Sequence, residues 1–457
     1  MALSPLSSKN LKKLNQNIGG AEIIWKYQLR GEVGSVSISR DGSINLAGTS
    51  ETSGKGMLFC INREGELLWK YAFPGKILGL GISEDRNTIV AGGEDKKITM
   101  LDGKGKLIWA FSAQSSITSV EISPEGSKIL ASSLDNNIYC ISKSGKILWK
   151  YTGGASMVGV SGSWESEDIP TSGEGNIVAA VSSNKYLYCF SSEGKLLWQH
   201  ATAKSMQCIS VSLDGSIIVT GSTDNHLHCF DKNGKELWKI ELNSPAKTIC
   251  TTKDGSAVFA GTEKGMLYCL TRRGELIWKH DMGKGILALA CAPDGSALAL
   301  GSADKGLYSI DNSKTATKLI KEEEERRKLE KERATIEEKL QKAYEERKKK
   351  ELERKKAEEE KKRLEIELKK KEEMFAKQKK KVEKDIEFLT NAITDIANAS
   401  TQVLEAKSKL ENAKKFLSEG NLEKASANSK ECELILEKFK TRINEILAKM
   451  ATERRLA

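Results

Sequence analysis

Residues 225–239 read NHLHCFDKNGKELWK, and residues 265–279 read GMLYCLTRRGELIWK. The two stretches lie 40 residues apart and place a ring, a Cys, a Gly and a Trp at the same offsets. The register extends along the chain. Trp25, Trp69, Trp109, Trp149, Trp198, Trp238 and Trp278 follow one another at 44, 40, 40, 49, 40 and 40 residues. A period near 40 is the signature of a propeller or solenoid, so every other motif has to be read against it.

Each period carries two turn signals. Sixteen residues after a Trp stands Asp41-Gly42, Asp214-Gly215, Asp254-Gly255 or Asp294-Gly295, with Glu125-Gly126 and Asp85-Arg86 as variants. About four residues before a Trp stands Gly65, Gly105, Gly145, Gly194, Gly234 or Gly274. The runs between them, such as IIVTG, LHCF and ELWK, are rich in strand formers, and Asp-Gly or Asn-Gly between such runs marks hairpins. Each period therefore predicts four short antiparallel strands, which is one propeller blade. The expected fold class is an all-β propeller of seven four-stranded blades followed by an all-α coiled-coil tail. The last repeat, Ile286 to Asp311, holds three strands, while AEIIWKY at 21–27 is an orphan fourth. Pairing the two predicts a ring closed by its N-terminal strand, with no free edge at either end.

These repeats resemble the quinoprotein-like (PQQ-like) propeller family, whose units run roughly D-G-x-L-Y-x-L-x-x-x-G-x-x-x-W. The resemblance covers about residues 20–311. The architecture is also similar to WD40 propellers, without their Trp-Asp dipeptide. Quinone-dependent dehydrogenases of the resembled family generally hold an axial calcium and a catalytic carboxylate, usually have an additional blade, and work outside the cytoplasm. This chain has no adjacent Cys pair and no Asp/Glu/Asn cluster outside the repeat. A non-enzyme with no catalytic residue, no metal and no cofactor is expected.

His226 and His228 beside Cys229 suggest a zinc or copper site when read alone. The repeat gives another reading. Cys60, Cys140, Cys189, Cys229 and Cys269 all stand nine residues before a Trp, with Met100 in the remaining such period. His228 replaces the ring held by Phe59, Tyr139, Tyr188 and Tyr268. Alternation along a strand puts His226 and His228 on one face and Cys229 on the other, so packing is expected rather than a metal.

Departures from the repeat are where function is sought. Residues 48–57 add four Gly/Ser/Thr-rich positions to the first blade, without the spacing of a phosphate loop. Residues 163–171 add nine more, around Trp164, Glu165, Glu167 and Asp168. That group reads as a partner contact, or as a Trp folded back onto its blade. Arg30, Lys76, Lys204 and Lys284 enter the innermost strands near one channel mouth, where they would draw an acidic ligand or simply face water.

Composition changes near Asn312. All six Pro lie at or before Pro293, and Gly420 is the sole Gly after Asp311. Lys314 to Ala457 holds 40 Lys/Arg against 32 Asp/Glu, most of the net charge of +10. The divisions expected are a polar segment at 1–20, the propeller at 21–312, a long charged helix at 313–384 and an antiparallel helical hairpin at 385–457. In the charged helix Glu often precedes Lys or Arg by four residues, which supports a solvated helix, either a lone strut or a weak coiled coil. The hairpin has 4-3 seams through Ile386, Leu389, Ile393, Ile396, Val403 and Leu410, then Leu436, Phe439 and Ile443. Gly420-Asn421 is the turn between them.

No run of about 18 apolar residues predicts a membrane span. The first residues show no apolar signal region, and nine unpaired-looking Cys favour a reducing cytoplasm. Three functions fit this pattern. The first is a scaffold or adaptor that binds other proteins and self-associates through its C-terminal helices. The second is a ribosome- or nucleic-acid-associated factor using the basic helix and channel-mouth cations. The third is a ligand-sensing or enzymatic propeller.

Overall fold

The computed structural model describes residues 11–164, 176–396 and 401–456. The chain forms two units, Met1–Lys331 and Glu332–Ala457.

The first unit holds seven antiparallel sheets, six of four strands and one of five. In blade 1 the strands Glu32–Ile38, Ile44–Ser50, Gly56–Asn62 and Leu67–Phe73 run in order from the channel outward. The five-stranded sheet is blade 7, in the order Leu11–Asn17, Glu22–Gln28, Gly306–Asp311, Ala297–Ser302, Ile286–Cys291. Closure follows the expected pairing: Glu22 lies opposite Asp311, Trp25 opposite Ser309 and Tyr27 opposite Leu307. The extra strand lies within the polar segment at 1–20, for which no strand was expected. LKKLNQN has no β-branched residue, yet it pairs Leu11 with Tyr27 and Asn17 with Glu22 because an open edge is available there.

Register explains the nine-residue spacing of Cys and Trp. Cys60, Cys140, Cys189, Cys229 and Cys269 lie directly opposite Trp69, Trp149, Trp198, Trp238 and Trp278 on the adjoining outer strands. All five thiols are buried between blades.

The tryptophans join each blade to the next. Trp25 Nε1 donates to the Arg63 carbonyl at 2.7 Å, Trp69 to Gly103 at 3.0 Å and Trp109 to Lys143 at 2.9 Å. Trp149, Trp198 and Trp238 donate to Ser192, Lys232 and Arg272, each at 2.8 Å. Every acceptor lies in the outer hairpin turn of the following blade. In five of the six the indole lies against a glycine of that turn, and at Gly65 Leu11 takes that place. A Cβ at Gly194 (φ 81°) would stand 2.6 Å from Trp149, so only glycine fits. Trp278 is the exception. The following blade is closed by the two chain segments instead of a hairpin, and Trp278 packs on Gly20 with no hydrogen-bond partner among the described residues.

Three helices follow: α1 (Ser313–Ile396), α2 (Thr401–Ser418) and α3 (Leu422–Leu456). At the start of α1, Leu319 is buried with Ile23, Trp278 and Ile310 of the propeller. In the second unit α1 is exposed on every face up to Lys381 and carries i,i+4 pairs such as Lys342–Glu338 at 2.6 Å and Lys355–Glu351 at 3.0 Å. Such pairs add only about 0.2–0.5 kcal/mol each. α1 runs without a break through residue 384, where stalk was expected to give way to hairpin. α2 and α3 fold back on each other at Gly420 (φ 77°), where Asn421 caps α3 through the Lys424 amide at 3.2 Å. Ile386 from α1 joins Val403, Ala406, Leu410, Ala413, Cys432 and Leu436 in one buried cluster, with Phe439 against it. The side chains of Leu389, Ile393, Ile396 and Ile443 lie outside the described residues.

Replacing Trp149 by Phe removes an indole donor and strands the Ser192 carbonyl, whereas Trp278→Phe removes a donor that had no partner. Both lose volume. Urea unfolding should therefore show Trp149→Phe the more destabilising by about 1 kcal/mol, the net worth of one such bond.

Candidate functional site

The channel is lined by all seven innermost strands and encloses a cavity of about 200 Å³. Gly34, Leu78, Thr118, Val158, Gln207, Lys247 and Leu287 occupy matching positions around it. Among these lining residues the one charge is Lys247, whose ammonium stands 3.9 Å from Glu263. Gln207 keeps a buried carbonyl oxygen without a partner.

The four cations expected at a mouth do not form a repeated set. Lys76 sits directly before its buried strand residue and pairs with Glu94 at 3.3 Å. Lys204 and Lys284 sit one residue earlier and Arg30 one earlier still; these three are exposed.

The opposite mouth is lined by Ile38, Ile82, Ile122, Leu213 and Cys291, with Arg40, Glu84 and Lys253 at its rim. Arg40 pairs with Glu84. Backbone bonds tie blades here: Glu84 N–H to the Pro124 carbonyl at 2.8 Å, Trp164 to Leu213 at 3.1 Å and Lys253 to Pro293 at 2.7 Å.

Trp164 belongs to this rim, and of its two readings the structure has the Trp folded back onto its blade rather than standing as a surface contact. It is 4% exposed and packs among Leu130, Val160 and Val178. Ser163 and Ile177 exchange the turn bonds that Ser39 and Ile44 exchange in blade 1. The insertion therefore begins after Trp164, which takes the place of Arg40 or Pro124. A comparison of Ser163 with Ser39, Ser83, Ser123 and Ser212 carries that signal in the sequence. Glu165, Glu167 and Asp168 lie outside the described residues.

What holds Trp164 is a carboxylate that sequence reading missed. Trp164 Nε1 donates to Glu121 Oε1 at 3.0 Å, and the Gly162 amide donates to Oε2 at 3.2 Å. Other blades place Ser37, Gly81, Ser161, Ser210, Cys250 or Ala290 at this position. Burial pushes the Glu121 carboxyl up to about 7, against donors from Trp164, Ser161 and Gly162 that favour its charged form.

The His/Cys cluster does not converge. Cys229 is fully buried, and burial pushes its thiol up to about 12. His228 Nδ1 lies 2.7 Å from Glu236 Oε1 and its ring stacks on Phe230. His226 Nδ1 lies 2.8 Å from the Asp224 carbonyl. Among the described residues no group of three or more His, Cys, Asp or Glu could hold a metal ion.

Seven blades, inter-blade tryptophans and repeat-closing strands define a PQQ-like β-propeller repeat protein with a helical tail. The chain belongs to the family described as outer membrane protein assembly factor BamB, whose model matches residues 11–233 and again 183–331. The overlapping matches are what a repeat produces. No curated protein matches the chain. No helix among the described residues is long and apolar enough to cross a membrane.

Glu121 makes stability depend on pH. Its folded value lies above the ordinary 4.5, so between about pH 4.5 and 7 the folded chain keeps a proton that the unfolded chain has released. Stability from this group is complete below about 4.5 and is lost as pH rises through 7, by about 1–3 kcal/mol. Glu121→Gln should cancel that loss. The difference in thermal midpoint between variant and native protein should move in the variant's favour from pH 5 to pH 8; a constant difference would contradict the assignment.

Proposed function

We propose that the protein is a non-enzymatic scaffold or adaptor that offers its propeller as an interaction platform and assembles through its C-terminal helices. The observation that carries this reading is apolar surface left outside two complete cores. On the propeller, Leu68, Leu107, Ile108, Ile147, Leu148 and Leu197 are each between 47% and 53% exposed. On the hairpin, Leu404 and Leu434 are 67% and 53% exposed. They lie level with one another, because Cys432 Sγ bonds the Ala406 carbonyl and Lys409 pairs with Glu431 in the same antiparallel register. Each lies two residues from the inward-facing Ala406 or Cys432 and so points out of the hairpin, and exposed apolar side chains of this kind mark partner sites. The family's description as an assembly factor agrees with a role in holding other proteins together.

Nine free thiols support a reducing, cytoplasmic setting. The nucleic-acid reading gains little from α1, whose lysines and arginines are interleaved with glutamates one turn away, as in Lys350–Glu346 and Lys371–Glu367.

Full-length protein at tens of micromolar should sediment as a dimer or larger species. Leu404→Asp with Leu434→Asp should return it to monomer without loss of helix signal, because both side chains are exposed within one chain. Native protein that remains monomeric and takes up no helical partner would contradict the proposal.

A further inference from the structure

The outer strands of the blades share one irregularity. In each, the residue before the Trp is a bulge: Leu68, Ile108, Leu148, Leu197, Leu237, Ile277 and Ile24 have no partner in the register. A bulge turns two successive residues toward the same side. The aliphatic pairs Leu107/Ile108, Ile147/Leu148 and Leu196/Leu197 therefore both face outward, at 47/53%, 47/51% and 37/49% exposure.

Blade 7 shows what covers such a pair. There the equivalent residues are Ile23, 2% exposed, and Ile24, half-buried. The N-terminal strand Leu11–Asn17 adds antiparallel to the edge, and Leu11 lies over the next blade's turn, 2.4 Å from where a Gly65 Cβ would stand. Leu14 and Leu319 fill in around Ile23. Backbone pairing rather than charge holds it, since Lys12 lies opposite Lys26 and Glu22 opposite Asn17.

The position of Glu22 is occupied by Glu66 in blade 1 and Glu275 in blade 6, but by Lys106, Lys146, Lys195 and Lys235 in blades 2 to 5. Across the outer turns and strands of blades 2, 3 and 4, Lys104, Lys106, Lys143, Lys146, Lys150 and Lys195 face the carboxylates of Asp102 and Glu193 alone. Among the described residues this arc combines a bare strand edge, three exposed aliphatic pairs and a positive rim.

We propose that the outer edges of blades 2 to 4 are a strand-addition site for an extended, acidic, aliphatic segment of a partner protein. It would pair antiparallel as Leu11–Asn17 does in blade 7, with its charge reversed to suit Lys106, Lys146 and Lys195. Backbone pairing supplies affinity, and the alternate side chains meeting the aliphatic pairs supply selectivity. Edge lysines can also serve only to guard a strand against aggregation. That role would leave an acidic strand unbound.

The inference rests on the scaffold reading, and its test uses a different surface from the hairpin. A blocked nonapeptide, Glu-Ile-Glu-Val-Glu-Ile-Glu-Val-Glu, is titrated into full-length protein at physiological salt and followed by fluorescence anisotropy and backbone hydrogen exchange. Saturable binding is expected, with new amide protection in Leu107–Ser112, Ile147–Thr152 or Leu196–Ala201. Ile108→Asp, Leu148→Asp and Leu197→Asp together should weaken binding at least tenfold. Leu68→Asp with Leu276→Asp, on the Glu-edged blades, should leave it unchanged. The proposal is overturned by absence of saturable binding, by protection elsewhere, or by equal binding of the Lys-for-Glu peptide or of one broken by a central Pro. Such a failure would leave assembly through Leu404 and Leu434 untouched, and loss of that assembly would leave this site standing.

Discussion

Six of the seven blades send an indole N–H to a carbonyl in the next blade. Six such bonds, from Trp25 to Arg63 through Trp238 to Arg272, fix the angle at which one sheet leans on its neighbour. A single bond of this kind contributes only about 0.5–1.5 kcal/mol. Its value is geometric, since a facing turn with a glycine at positive φ leaves room for the indole. The repeated Gly, the Trp and the bulge before it recur together in the blades, and the bulge turns the aliphatic pair outward. The surface proposed for partners is therefore a by-product of how the ring is joined.

Ring closure was legible for the same reason. A period of 40 residues with one orphan strand at the start and one missing at the end leaves a single consistent pairing, and Trp25 lies opposite Ser309 as that pairing requires. The strand at Leu11–Asn17 was not legible, because its residues have no strand preference and it forms only on the edge of Glu22–Gln28, the strand that closes the ring. Trp164 was left between two readings because it was assigned to an insertion that starts one residue later. Glu121 was missed because a lone Glu among Ser, Gly, Cys and Ala at one repeat position shows only when blades are aligned column by column. The cations Arg30, Lys76, Lys204 and Lys284 stand at three different offsets from the buried strand residue, and Arg30, Lys204 and Lys284 face water, as one of their two readings allowed.

The helical unit follows other physics. The 4-3 seam around Val403, Leu410 and Leu436 predicted a hairpin that needs a further member, and Ile386 at the end of α1 enters the same buried cluster. Between Glu332 and Lys381 α1 has no such cover and relies on i,i+4 ion pairs, whose strength falls with salt. Propeller and hairpin are each complete in themselves. What they leave exposed is aliphatic and patterned, which is the basis for reading the chain as a scaffold.

The central claim, that indole bonds between blades hold the ring as one cooperative body, is tested most directly by hydrogen exchange at the tryptophan indoles in nitrogen-15-labelled protein. The six indole protons of Trp25, Trp69, Trp109, Trp149, Trp198 and Trp238 should exchange together, far more slowly than a free indole, and accelerate in parallel with added urea. Exchange at unrelated rates from blade to blade, insensitive to urea, would show that the blades open independently and that these bonds do not join them.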